Sequence, residues 1–214
     1  FVVEGLDTNG NMSWQHSSLL NHIGSSGEDI CQDSNGNNYV YGNFEGDFFK
    51  DNTLYENHGA NGNDVYIAKL TNSGDLLWIA CAGSEGNDGA KAIAVDANQC
   101  TYVTGFFIGT MHFGNFTIVS NGDEDAFVAK LDTAGNWLWA VNLGGCWSDT
   151  GNDLVIDVDG NLYLTGSFSG TVNIGTEIIT SSGGKDVFVA KLDSNGIPLA
   201  VGSGGGMADD EGTG

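Results

Sequence analysis

The sequence predicts an all-β fold made of one sheet repeated along the chain. Three observations carry this reading. First, the run Val65–Trp78 (VYIAKLTNSGDLLW) returns at Ala126–Trp139 (AFVAKLDTAGNWLW), at Val187–Leu199 (VFVAKLDSNGIPL) and, more weakly, at Phe1–Trp14. Lys69, Lys130 and Lys191 are spaced 61 and 61 residues apart, and residues 65–125 align with 126–186 without a gap. A fixed period of this size signals a repeat architecture. Second, short apolar runs alternate with Gly, Asn and Asp clusters, residues that tolerate the positive φ of tight hairpins. Third, the chain has one proline, Pro198, and no long apolar pattern of helical period.

Taken in order, residues 1–19 read as the last two strands of one unit. Residues 20–82, 83–143 and 144–203 read as three full units, and 204–214 as the entry to another. Each full unit has four strands. The second gives Ala92–Asp96, Thr101–Phe107, Asp125–Leu131 and Trp137–Asn142. The third gives Asp153–Asp157, Asn161–Phe168, Asp186–Leu192 and Ile197–Val201. Between the second and third strands lies a Gly-punctuated stretch, Gly109–Gly114 then Phe116–Val119, and again Gly170–Gly175 then Glu177–Thr180. It reads as a small extra hairpin at one edge.

The side-chain pattern selects among all-β folds. In the third strand of the third unit, Phe188, Ala190 and Leu192 point one way and Val187 and Val189 the other. A sheet covered on one side alternates apolar with polar residues, whereas this one is apolar on both. Blades stacked radially in a β-propeller meet that demand and leave only short edges.

The run A-I-A-V-D-x-x-x-x-x-Y-V-T-G at Ala92–Gly105, followed by F-V-A-K-L-D-x-x-G-N-W-L-W at Phe127–Trp139, resembles the seven-bladed β-propeller (SBBP-type) repeat of secreted bacterial proteins, with NHL-like blades. The resemblance covers nearly the whole chain. It implies a scaffold without shared catalytic residues. The expected fold is thus a β-propeller of about three and a half four-stranded blades, a partial ring belonging to a seven-bladed propeller. Such a partial ring leaves apolar blade faces open. It is expected to be completed by other blades of the same chain or by a second copy.

Charge bounds the partners. The chain carries 28 acidic and 6 basic residues, a net charge of -22, with 40% hydrophobic residues. Nucleic-acid binding is disfavoured, because phosphate contacts need clustered Lys and Arg. There is no run of 18 apolar residues to cross a membrane as a helix. Cys31, Cys81, Cys100 and Cys146 fall at four different repeat positions without CxxC spacing, which speaks against a zinc site or a disulfide framework.

Four groups of residues merit attention. Asp157, Asp159 and Asn161 alternate oxygen ligands around Gly160, a spacing that suits Ca²⁺ as well as a plain Asx turn. Asp88 and Asp149 precede the first strand of their units, beside Glu28, Asp29, Asp153 and the acids at 209–211. These loops are expected near one mouth of the channel, where carboxylates either bind a cation or cap turns. Trp147 lies in such a loop. Exposed, it would stack on a sugar or a partner side chain; buried, it would be core. His16, His22, His58 and His112 share no register with a Ser or Cys nucleophile. The expected function is a non-enzymatic structural or adhesive module of a large extracellular or cell-surface protein, contacting protein or glycan. The alternative is a polysaccharide-acting enzyme with an acid pair at the channel mouth.

Overall fold

The computed structural model describes residues 2–6, 9, 11–17, 25–59 and 62–212. His22, the side chains of Trp14 and His16, and the expected unit boundary at residues 19 and 20 lie outside the described residues. Among the described residues none is helical, so none forms a helix long and apolar enough to cross a membrane.

Among the described residues there are eighteen strands. A hairpin comes first, β1 (Val2–Leu6) with β2 (Met12–Ser17). The first full sheet contains β3 (Asp29–Gln32), β4 (Asn38–Phe44), β7 (Asp64–Leu70) and β8 (Leu76–Ala82). Between its two central strands lies a separate hairpin, β5 (Phe48–Lys50) with β6 (Thr53–Tyr55). The second sheet contains β9 (Gly89–Val95), β10 (Thr101–Phe113), β11 (Phe116–Leu131) and β12 (Trp137–Asn142). The third contains β13 (Thr150–Ile156), β14 (Leu162–Phe168), β17 (Asp186–Leu192) and β18 (Pro198–Gly204), with the hairpin β15 (Thr171–Ile174) and β16 (Glu177–Thr180). All three are antiparallel meanders in chain order. Four-stranded sheets of this kind, repeated along one chain, are the arrangement of propeller blades.

Hairpin geometry explains why these residues turn where they do. In the β9–β10, β11–β12, β13–β14 and β17–β18 turns an Asp carboxylate receives the backbone N–H groups two and four residues on, at 2.8–2.9 Å. The last N–H of each turn is thereby satisfied without a ladder partner. Gly135, Gly160 and Gly196 supply the positive φ, at 84°, 82° and 79°.

The sheets stack face to face. Tyr39, Val65 and Ile67 of the first sheet share a core with Ile93, Val103 and Phe127 of the second. Tyr102, Ala126 and Val128, on the opposite face of the second sheet, share another with Leu164, Phe188 and Ala190 of the third. The two-sided apolar pattern is thus used on both sides of β11, where Phe127 and Val128 are each fully buried against different neighbours. The first strands of the sheets also meet, β3 with β9 and β9 with β13.

Polar clasps cross each junction. The Lys69 ammonium lies 4.8 Å from the Tyr39 ring centre and donates to Gln99 of the second sheet. Trp78 Nε1 donates to the Thr133 carbonyl in the β11–β12 turn at 3.1 Å. One repeat later, Lys130 lies 4.7 Å from the Tyr102 ring, and both Lys130 and Trp139 donate to the Ser194 carbonyl in the β17–β18 turn.

Trp78 rests on Gly135, so that a Cβ at this glycine would strike the indole; Gly160 has the same φ but open space around it. Gly160→Ala should therefore cost about 1–2 kcal/mol of conformational strain. Gly135→Ala should cost that plus about 1–3 kcal/mol for displacing the indole. Urea midpoints of the two variants should rank wild type, Gly160→Ala, Gly135→Ala; equal midpoints would show that the Trp–Gly contact carries no weight.

Candidate functional site

The loops that lead from one sheet to the next are built around a buried carboxylate. Asp88 Oδ2 accepts from the Ser84 N–H at 2.5 Å and Oδ1 from the Ile108 N–H at 3.1 Å. Asp149 repeats this, accepting from Gly145 N–H at 2.6 Å and Ser169 N–H at 3.0 Å. Asp210 opens a third copy, accepting from Gly206 N–H at 2.7 Å. Asp88 and Asp149 are 1% and 0% exposed, so both carboxylates face inward and staple the loop to the second strand, at Ile108 within β10 and at Ser169 just past β14. Burial pushes both carboxyls up to about 6, against the lowering effect of their hydrogen bonds. Glu28 and Asp29 are exposed, and Asp153 caps its own neighbour through the Leu154 N–H.

A second buried set recurs with the third strand of each sheet: Asp64 and Asp186 open β7 and β17, and Asp125 lies within β11. Each accepts a backbone N–H, from His58, Asn121 and Ser182 respectively. Each also lies directly against a glycine, Gly83, Gly144 or Gly205, where any Cβ would overlap the carboxylate. Among the described residues one oxygen of each is without a hydrogen bond. Burial raises Asp64 and Asp125 above the usual carboxylate range. The sequence carries this signal as an Asp recurring at 64, 125 and 186, but local pattern marks it only as a strand start.

Asp157 spends Oδ1 on the N–H groups of Asp159 and Asn161 and Oδ2 on the Asn161 side-chain amide, all at 2.8–2.9 Å. Those bonds, the Asn161 amide first, hold its carboxyl below the ordinary range. Asp132 makes the same three bonds in a turn whose middle residue is Ala134. The geometry therefore does not depend on a second acid. Among the described residues no three His, Cys, Asp or Glu side chains converge as a metal-binding group. All four cysteines are free.

Trp147 is 60% exposed and its five-membered ring rests on the Gly170 backbone. It walls an open groove of about 530 Å³ with Ser148, Ser169, Ser181, Lys185 and Asp209. Asp209 Oδ1 accepts the Lys185 N–H at 2.9 Å, which ties the chain beyond β18 to this wall. A neighbouring depression holds Lys91, Glu124, Lys185 and Glu211, so Lys185 borders both. Of the predicted residues, Trp147 and Asp149 share one loop. Asp88 lies in the preceding loop, and Asp157, Asp159 and Asn161 sit in the β13–β14 turn.

No protein-family model matches the chain. It is similar to an uncharacterized WD repeat-containing protein of Acanthamoeba polyphaga mimivirus, 25% identical over 118 residues. That match covers 46% of this chain and 8% of the viral protein. With the repeated antiparallel sheets, it supports a β-propeller-like repeat fold.

The two raised carboxyls set a pH dependence. From an ordinary value of 3.8, Asp88 and Asp149 rise to about 6 on folding, so the folded chain holds their protons more tightly. Their contribution to stability is full below about pH 4 and is lost as pH rises through 6. Denaturant midpoints should fall between pH 4 and 6, and the fall should be shallower in Asp88→Asn/Asp149→Asn. An unchanged slope in that double variant would assign the titration elsewhere.

Proposed function

We propose that the chain is part of a larger β-propeller of the SBBP type, a run of about three and a half blades. We further propose that it serves as a non-enzymatic structural or adhesive module of an extracellular or cell-surface protein, contacting protein or glycan. One observation carries the scaffold reading. Tyr102 and Val128 are fully buried beneath the third sheet, yet their repeat partners Tyr163 and Val189 are 37% and 48% exposed. Val155 beside them is 57% exposed. These side chains line a shallow apolar depression with Leu154 and Leu164. A face whose earlier copies are covered by a sheet of the same kind is built to receive another.

The clasp points the same way. Lys191 lies 4.9 Å from the Tyr163 ring and 3.9 Å from Asp157 of its own sheet, as Lys69 lies against Tyr39 and Asp33, but among the described residues it has no acceptor from a further sheet. Its side chain is 31% exposed, against 5% for Lys69. A neighbouring turn carbonyl is what this lysine meets in the earlier copy. The buried Asp residues support a scaffold rather than a catalytic role, since they recur with the repeat and bond to backbone N–H groups.

The open face should make the protein self-associate at micromolar concentration. Light scattering after size exclusion should show species above the monomer, and Tyr163→Glu/Val189→Glu should return the monomer. A wild-type chain that stays monomeric and binds no hydrophobic dye would overturn the scaffold reading.

A further inference from the structure

We propose that the groove beside Trp147 is a saccharide subsite in which one neutral pyranose ring stacks on the indole. This rests on the contact role proposed above and names its ligand class. The argument starts from the ungapped repeat. At an offset of 61, Trp147 stands where Gly86 stands, Ser169 where Ile108 stands, and Lys185 where Glu124 stands. In the earlier copy the space is filled. A Cβ on Gly86 would strike Ile108. In the later copy the filling isoleucine is a serine, the glycine is a tryptophan, and the acid is a lysine. Three changes of chemistry fall on one groove wall, while the staple Asp149 beneath it is kept in the same geometry as Asp88.

Packing does not account for the indole. Trp147 belongs to none of the three buried clusters, whereas Trp78, Trp137 and Trp139 pack against them and donate their N–H groups to carbonyls of neighbouring sheets. Among the described residues Trp147 Nε1, the Ser148 and Ser169 hydroxyls and the Lys185 ammonium carry no hydrogen bond. Asp209 keeps Oδ2 free beyond its bond to the Lys185 N–H. An apolar platform with a few convergent donors and acceptors is the makeup of a small-ligand site, and the groove's volume of about 530 Å³ lies within the usual range of about 300–1,000 Å³. A pyranose offers a C–H face to the indole and a rim of hydroxyls, each both donor and acceptor, to Ser, Lys and Asp. The net charge of -22 repels polyanionic glycans, which selects a neutral sugar.

The test is calorimetric titration of the protein with hexaoses of glucose, mannose, xylose and N-acetylglucosamine. At least one should bind. Trp147→Gly, which restores the earlier copy's residue, should weaken that binding by about tenfold, and Trp147→Phe should keep most of it. Ser169→Ile, which refills the groove, should weaken it as Trp147→Gly does. Unchanged thermal unfolding of Trp147→Gly would exclude misfolding as the cause. Binding that survives both Trp147→Gly and Ser169→Ile overturns the subsite while leaving glycan contact standing elsewhere. A wild type that binds none of the hexaoses overturns both and leaves the indole as a protein contact. Neither result bears on the self-association that tests the scaffold.

Discussion

A buried lysine that its own sheet does not fully satisfy holds the stack together. Lys69 is 4% exposed, and taking an ammonium out of water costs several kcal/mol unless it is paired and hydrogen-bonded. The Tyr39 ring and the Asp33 carboxylate, 3.8 Å away, offset part of this cost. The direct hydrogen-bond acceptor is Gln99 Oε1, in a turn of the next sheet. Lys130 obeys the same rule with the Ser194 carbonyl, which also receives the Trp139 indole N–H. Each junction therefore fixes the relative height of two sheets, because the acceptor must sit where the lysine ends. The hydrophobic faces supply most of the driving force, but they are broad and would tolerate sliding. The clasp removes that freedom.

Carboxylates do the corresponding work within each unit, in two opposed ways. In the turns, Asp132, Asp157 and Asp193 collect several N–H groups near solvent, and the bonds hold their carboxyls below the ordinary range. Behind the loops, Asp64, Asp88, Asp125 and Asp149 also accept N–H groups, yet burial wins and raises them. The same residue type thus closes hairpins and staples loops, and the deciding variable is access to water. Much of the acidity of this chain is architectural, spent on backbone groups that strand ladders cannot reach.

The strands were legible because both signals that define them are local. β12, β16 and β17 begin and end where turn residues interrupt the apolar runs. The long ladder of β10 with β11 was less legible, since Gly109 reads as a break. A register shift between Ile108 and Thr110 instead carries the pairing through to the Phe113–Phe116 end. In the third unit the matching hairpin, β15 with β16, remains separate from its sheet. The buried Asp set was visible as a recurring letter but not as a role. Whether a loop carboxylate faces a channel or a backbone depends on the path of the loop, which the glycines opposite it decide. Those glycines lie 19 residues from their Asp, as Gly144 does from Asp125, and only the fold brings them together.

In a repeat, residues shared by every copy are explained by contact between neighbours, so specialised chemistry must be sought where the copies diverge. Divergence alone is weak, because drift on a solvated loop also breaks symmetry. It gains force when several changes meet in space and the replaced contacts had a job. Ala200 stands where Trp78 and Trp139 stand in the earlier sheets, so the third sheet lacks the indole that seats on the next turn's glycine. Its Lys191 and Tyr163 remain. The open face therefore keeps the polar half of the clasp without the aromatic half, and any sheet that covers it is freed from presenting a glycine at that point. The stack changes character at its third sheet, on the junction face and at the loop groove alike.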